Sequence, residues 1–443
     1  MSPESARSLP VPSWAGQYLR DHALHALVVA FFILYPFAYD LFVGQFGLIA
    51  ETVLLRPRTM LTVLWLGLFA MSFDFISGYT GYLSFGHATF FGIGAYFVVL
   101  GYNGQLPLLP GELPFMTLLV LGGVVAAVAA VLVGLIAFRL SGVYFAMITL
   151  GVSEILFVAA ENFDFLTPGG SDPSDGVTPG TPSGIETFTP ELGVPLVDAL
   201  QVEIGAFGDT SLLGIDLGPI FNETSAAIVV SYFAIGAFVL VSYLAMQRII
   251  HSPFGRVMIA ISENEERAQA IGYNTFWYKM GAFAISAFFG AVAGGLLVGY
   301  QGFIDPQNSF FFLVTGFALV AAIIGGLKTL VGPLFGYFFL EWVEEFLARE
   351  GSGGGLQPFL EQNLPDSLLD ATISGGLTVS KALDSFMTGH GEFYAGIIFV
   401  LFVLFVPVGL LGTLRLRFGT QSLSKHVSHR LGALGSETEA DDQ

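Results

Sequence analysis

The chain contains no cysteine. That excludes a disulfide framework, a thiolate metal site and a cysteine nucleophile. Charge is scarce as well. Only 12% of the 443 residues are Asp, Glu, Lys or Arg, against about 25% in ordinary soluble domains. Basic residues number 16, of which 4 are lysine, against 35 acidic residues and a formal net charge of -19. No nucleic-acid partner is expected of such a surface, because phosphate contacts need Lys and Arg. A Walker A loop is missing too: the stretch GGLKT at 325–329 lacks the glycine directly before its lysine. The 7 histidines are scattered. His22 and His25 have helical spacing but no third ligand nearby, so neither a metal site nor a catalytic constellation is expected. What the chain has instead is apolar mass: 54% hydrophobic residues, 55 Gly, 44 Phe and a mean hydropathy of +0.72. A soluble or disordered chain is excluded by that composition. Helices packed in a membrane, with small residues at their contacts, are the expectation.

A membrane-crossing helix needs about 20 mostly apolar residues. Ten runs qualify, near 22–47, 59–77, 85–101, 114–138, 142–161, 224–248, 278–301, 310–326, 329–347 and 393–413. The expected fold is all-α: a polytopic transmembrane helical bundle of 8–10 spans, filling 22–413. The third run reads as a broken or re-entrant helix. The pair 310–326 and 329–347 counts as two spans, with one bent element as the alternative, since only Leu327 and Lys328 separate them. Residues 1–21 read as a cytoplasmic segment, not a signal peptide. Residues 414–443 read as a disordered cytoplasmic tail. Lys and Arg mark the cytoplasmic side. With both termini inside, only Arg56, Arg58, Arg349 and Lys381 of the 16 basic residues fall outside. The loops 162–223 and 348–392 then face outward, the first of them acidic and rich in Gly, Pro, Ser and Thr. A solvated acidic surface is the plain reading of these loops. With so little lysine, it suggests a protein adapted to high salt.

One inward segment, 249–277, carries both signs of charge between two apolar spans. Pro253 and Gly255 are expected to make a turn. Arg256 to Ala270 would then form one short amphipathic helix, with Val257, Ile261, Ala268 and Ile271 on its apolar face. Glu263, Glu266 and Arg267 point elsewhere, and Gly272 stops the helix. Such a helix suits docking into a groove on a partner.

This loop resembles the cytoplasmic coupling loop of ABC importer permeases. More closely, the chain is similar to the branched-chain amino acid permease family of LivM type, with its segment S-x-F-G-R…A-I-R-E-N-E-x-x-A-x-x-x-G. Ser252, Phe254, Gly255, Arg256, Ala260, Ile261, Glu263, Asn264, Glu265, Ala268 and Gly272 match it. Ser262 stands where that pattern has arginine. GYTGYLSFGHATFFGIGAY (78–96) resembles a second segment, with Tyr82 and Phe85 in place of Gln and Leu. SGVYFAMITL, LTPGGSDPSDG and IIGGLKTLVGPLFG resemble three more, the last with Lys328 in place of glycine. The resemblance implies a plasma-membrane permease subunit that is not itself an enzyme and has no cofactor of its own. It implies a second permease subunit, two cytoplasmic ATPases carrying ATP and Mg, and an external solute-binding protein. The solute would be leucine, isoleucine or valine, with urea or a short amide as the alternative. An ion-coupled secondary transporter is the reading from another class. The resemblance makes Phe254, Gly255, Arg256, Glu263, Asn264, Glu265, Arg267, Ala268 and Gly272 the ATPase-coupling residues.

Glycine crowding in 78–96 makes that segment the expected wall of a translocation path, since unwound backbone at membrane depth needs protein or a wet cavity beside it. Gly81, Ser84, Gly86, His87, Tyr144, Thr149 and Glu154 are the candidate path residues, with Thr89 a further hydrogen-bonding group. Each glycine read alone is simple helix packing, and His87 alone is a helix-interface histidine. Asp74, Glu154 and Glu161 are ionisable groups in or near spans, which mark a path or a paired structural site. Asp40, Glu341, Glu344 and Glu345 sit near expected span ends, where solvation accounts for them.

Overall fold

Every one of the ten apolar runs folds as a helix in the structure, a computed structural model. It describes residues 23–102, 104–106, 113–140, 142–163, 203–204, 210–212, 215–216, 226–301, 304–348, 356–369, 371–374, 377–387, 391–406 and 409–413. The expected segments 1–21 and 414–443, and most of the loop 162–223, lie outside the described residues.

The membrane helices in chain order begin with α1 (Ala23–Phe46), the short α2 (Leu48–Val53) and α3 (Pro57–Thr80). They continue with α4 (Ala88–Tyr102), α5 (Phe115–Ala137), α6 (Val143–Asn162) and α7 (Ala226–Ile250). Two short helices follow, α8 (Pro253–Glu263) and α9 (Glu265–Ala270). Then come α10 (Thr275–Gln301), α11 (Phe312–Gly325) and α12 (Gly332–Ala348). The segment after α12 holds α13 (Leu356–Asn363), α14 (Asp366–Leu369) and α15 (Val379–Met387), and α16 (Gly391–Phe405) follows. Strands are confined to the loops. β1 (Glu203–Ile204), β2 (Thr210–Leu212) and β3 (Ile215–Asp216) form an antiparallel ribbon; β4 (Thr372–Ser374) and β5 (Leu377–Thr378) form a hairpin. Seven helices among the described residues are long and apolar enough to cross a membrane, while the apolar α4 and α11 are shorter.

The core is built around α10, which packs against α3, α4 and α5. Small residues let these backbones meet, as is usual between membrane helices. A side chain on Gly94 would strike the Ala291 carbonyl of α10, and one on Gly294 would strike the Phe91 carbonyl of α4. Phe69, Phe73, Phe90, Phe91, Phe145 and Phe283 fill the remaining space and are fully buried.

The structure decides two points about these runs. The pair 310–326 and 329–347 forms two helices, as the count of ten has it, and not the alternative of a single bent element. Helices α11 and α12 fold back on each other: Gly325 faces the Gly332 carbonyl, and Gly336 faces the Ala321 carbonyl. Residues 326–331 make the reversal, with Gly326 at φ 107° and Lys328 at φ 62°. Lys328 is the one described non-glycine residue at positive φ. The third run is broken at its start, as expected. α3 ends at Gly81, whose φ of 79° caps it. Residues 81–87 follow without helix, and the 15 residues of α4 come after. Such a helix is about 22 Å long, short of the roughly 30 Å hydrocarbon layer.

Candidate functional site

The segment 249–277 is a pair of helices rather than one. Ser252 caps α8, accepting a hydrogen bond from Gly255 N, and Pro253 occupies the first turn, where its missing N–H costs nothing. The expected turn at Pro253 and Gly255 is therefore helical. Gly255 is buried, and a side chain there would strike the Ile250 backbone. The chain breaks at Asn264, which closes α8 and caps α9 by accepting from Arg267 N at 2.8 Å. An N-cap asparagine satisfies a free amide that a continuous helix would have bonded internally. Gly272 ends the second helix at φ 97°. Val257, Ile261 and Ala268 pack together against Tyr278, as the periodicity requires. Ile271 departs from the expected apolar face: it is 70% exposed. Phe254 is half-buried and stacks on Tyr278 at 5.4 Å. Arg256, Glu263, Asn264, Glu266, Arg267 and Gly272 are exposed.

Glu265 turns inward. Its Oε1 accepts from Lys279 Nζ at 2.6 Å and from Thr275 Oγ1 at 2.8 Å. Its Oε2 accepts from the Tyr82 hydroxyl at 2.6 Å. Lys279 also donates to the Tyr82 oxygen at 2.8 Å and lies 4.3 Å from the centre of its ring. Gln269 donates to Thr275 Oγ1 at 3.0 Å. Burial alone would push the Glu265 carboxyl up, but hydrogen bonds from Lys279, Tyr82 and Thr275 outweigh it and hold the carboxyl below its ordinary value. Neither Tyr82 nor Lys279 stood out as a partner of Glu265 in the sequence. The available signal was the i, i+4 spacing of Thr275 and Lys279 at the start of α10, which places both on one face.

The same end of the bundle holds the 326–331 reversal. Lys328 N donates to Asp74 Oδ1 at 3.1 Å, the Tyr79 hydroxyl donates to the Lys328 carbonyl at 3.0 Å, and Lys328 Nζ donates to Ser262 Oγ at 3.3 Å. Gly81 packs against Ser262, and Tyr82 touches the rings of Phe138 and Phe145 at 5.5 and 5.3 Å.

The candidate path residues fall in two places. Ser84, Gly86, His87 and Thr149 are buried between helices. A side chain on Gly86 would strike the Thr149 carbonyl. His87 Nε2 lies 3.1 Å from Ser72 Oγ and 3.4 Å from Ser286 Oγ, with Phe69 stacked on its ring. Thr149 donates to its own Ala146 carbonyl at 2.9 Å. Three polar atoms on one stretch have no hydrogen-bond partner among the described residues: Ser84 Oγ, His87 Nδ1 and Thr89 Oγ1. Each such buried group costs about 1–3 kcal/mol. Tyr144, by contrast, is 66% exposed on α6, and Glu154 is half-buried on the same helix. No group of three or more His, Asp or Glu among the described residues could hold a metal ion. Asp40 is buried within α1, not solvated.

The fold defines a multi-pass helical membrane protein with a two-helix charged loop between α7 and α10. Residues 57–352 match the family described as branched-chain amino acid transport system / permease component, and the chain belongs to that family. It is 30% identical over 260 residues to the high-affinity branched-chain amino acid transport system permease protein LivM of Salmonella typhimurium, covering 58% of this chain and 55% of that protein. Against the protein of the same name from Escherichia coli it is 30% identical over 280 residues, covering 62% and 59%. An autoinducer 2 import system permease protein, LsrC of Salmonella paratyphi B, is 27% identical over 174 residues, covering 35% and 48%. The chain thus spans a little over half the length of its LivM relatives. No solved structure gives a significant match.

Proposed function

We propose that the chain is the membrane-spanning subunit of an ATP-driven importer that brings branched-chain amino acids into the cell. The observation that carries this is the α8–α9 pair. It buries one apolar face, presents Arg256, Glu263, Glu266 and Arg267 outward, and sits in a chain of a permease family. A charged, helical, outward face joined rigidly to two spans suits a partner that moves them. ATP hydrolysis belongs on separate cytoplasmic chains, two of them, with a second permease subunit beside this one and a solute-binding protein outside. Closure of the ATPases pushes on α8 and α9, tilts α7 and α10, and switches the path from one side to the other.

Orientation follows from charge. Lys279, Lys328, Arg256 and Arg267 gather with Glu265 at one end, which is the cytoplasmic one by the positive-inside rule. Both termini lie on that side. Arg56 and Arg58 occupy the other end, where Arg56 is neutralised by Glu345 at 3.8 Å and Arg58 hydrogen-bonds Tyr300. The α6 surface bearing Tyr144 and Glu154 faces the path and the second permease, because a carboxylate midway along a span is costly against lipid. Ser84, His87 and Thr89 supply hydrogen-bonding atoms to the solute in the open state. The acid excess is a high-salt surface, so stability would fall at low ionic strength.

Uptake of labelled leucine in cells with and without the chain tests the proposal, with isoleucine, valine and urea as competitors. Loss on deletion, with competition by isoleucine and valine only, is the expected result. Unchanged leucine uptake would transfer the assignment to urea or short amides. Dependence on a Na+ or H+ gradient rather than ATP would replace both with secondary transport.

A further inference from the structure

The segment 81–87 joins two places that the proposed cycle must connect. At its start, Gly81 packs on Ser262 of α8, and Tyr82 is hydrogen-bonded to both Glu265 of α9 and Lys279 of α10. At its far end, Gly86 presses on the Thr149 carbonyl of α6, His87 sits between Ser72 and Ser286, and Ala88 N donates to Thr315 Oγ1 of α11 at 2.7 Å. Between and just beyond lie the buried unpartnered atoms of Ser84, His87 and Thr89. The segment has no helical hydrogen-bond ladder to fix its length.

Resting on the importer reading, we propose that Tyr82 is a positioning residue that carries displacement of the α8–α9 pair into the 84–89 stretch and so re-aims its polar atoms. Three features support this. The Tyr82–Glu265–Lys279 cluster is a closed triangle, each member bonded to the other two at 2.6–2.8 Å. A triangle with two ionised corners resists shear in a way that a single contact does not. Lys279 is nearly buried, its side chain 5% exposed, so salt screens the cluster weakly. Finally, Tyr82 is two residues from Ser84 along unladdered backbone. A rigid-body shift of α9 therefore reaches Ser84 through the Tyr82 side chain rather than through a helix axis. The mechanism gives the phenol a task that simple packing would leave to its ring, which already contacts Phe138 and Phe145.

The test uses the purified assembled importer and a single thiol. The chain has no native cysteine, so Ser84→Cys supplies the one reactive group in this subunit. Its labelling by N-ethylmaleimide is timed with and without ATP, beside ATP hydrolysis and melting. With Tyr82 present, ATP is expected to change the labelling rate by about tenfold, a usual size for coupling between sites. In Tyr82→Phe the change should fall below about twofold while hydrolysis continues, and Lys279→Arg should retain the full response. A full response in Tyr82→Phe would overturn the proposal. So would parallel loss of response, hydrolysis and melting temperature, which is the mark of a purely structural tyrosine. An importer that hydrolyses ATP without altering Ser84→Cys labelling would also refute it. If no ATPase co-purifies, the importer reading fails on its own, and the triangle is judged in the isolated chain. Non-additive melting shifts for Tyr82→Phe and Lys279→Met would support the link; additive ones would overturn it.

Discussion

The two ends of helix α3 each sit beside an ion pair, and the pairs are unlike. At the end proposed to face outward, Arg56 and Glu345 approach to 3.8 Å, with the arginine side chain 42% exposed and the glutamate 12%. At the inner end, Lys279 and Glu265 meet at 2.6 Å with the lysine 5% exposed, and Tyr82 and Thr275 complete the shell. A pair this long, with its arginine in contact with water, contributes little, about 0–1 kcal/mol, and weakens further in salt. A buried, fully bonded pair is different. Against apolar replacements it is near neutral, yet losing one partner leaves a stranded charge that costs several kcal/mol. In the orientation proposed above, the Arg56 pair neutralises one arginine on the side where arginine is disfavoured. The inner pair fixes the geometry of a joint.

Lys279→Met should break this contrast most strongly. It strands Glu265 and is expected to cost about 3 kcal/mol, read as a lower melting temperature in detergent, together with loss of uptake. Replacing both partners, Lys279→Met with Glu265→Leu, should recover most of that stability. It should not recover uptake, because the triangle is gone. A double variant as unstable as the single one would show that the two residues are not energetically paired.

Acid sharpens the comparison next. The Glu265 carboxyl is lowered in the folded chain, so its contribution is present above the ordinary glutamate value of 4.5 and is lost as pH falls through the lowered folded value. The melting difference between the unaltered chain and Glu265→Gln should be constant from neutral pH down to about 4.5 and close only as pH falls below that value. A smaller effect is expected at the reversal. Lys328 adopts a left-handed backbone whose peptide groups are held by Asp74 and Tyr79. Lys328→Gly removes the Cβ strain and should move stability by no more than about 1 kcal/mol, with its contact to Ser262 lost. Arg56→Ala should be smallest, below about 1 kcal/mol, and should vanish in molar salt.

Much of this architecture is legible in the chain. Ten apolar runs correspond to ten helices because span length and hydrophobicity are local properties. The face of Val257, Ile261 and Ala268 follows from helical periodicity alone. The break at Asn264 escapes such reading, since periodicity continues across it and only the cap to Arg267 N interrupts the helix. The two spans at 310–326 and 329–347 are legible as apolar runs, but the form of the turn between them is hidden, because it uses a lysine at positive φ, a conformation the sequence does not advertise. Tyr82, Glu265 and Lys279 are far apart in sequence or on separate elements, so their triangle exists only after folding. The candidate path residues divide for the same reason. A glycine-rich segment can be recognised, but whether its serine or histidine points into a helix contact depends on neighbours such as Ser72 and Ser286.

Helix α1 and the closing α16 lie outside the matched span 57–352, whereas α3 to α12 lie within it. The segments that meet around Glu265 are therefore all inside the family's common part.

The central claim is that the exposed face of α8–α9 receives the work of ATP hydrolysis. Charge reversal there, Glu266→Lys with Arg267→Glu, tests it most directly, because both side chains are exposed. The variant is expected to insert and melt as the unaltered chain does, yet to lose both leucine uptake and association with the ATPase. Full uptake by the inserted variant would contradict the account.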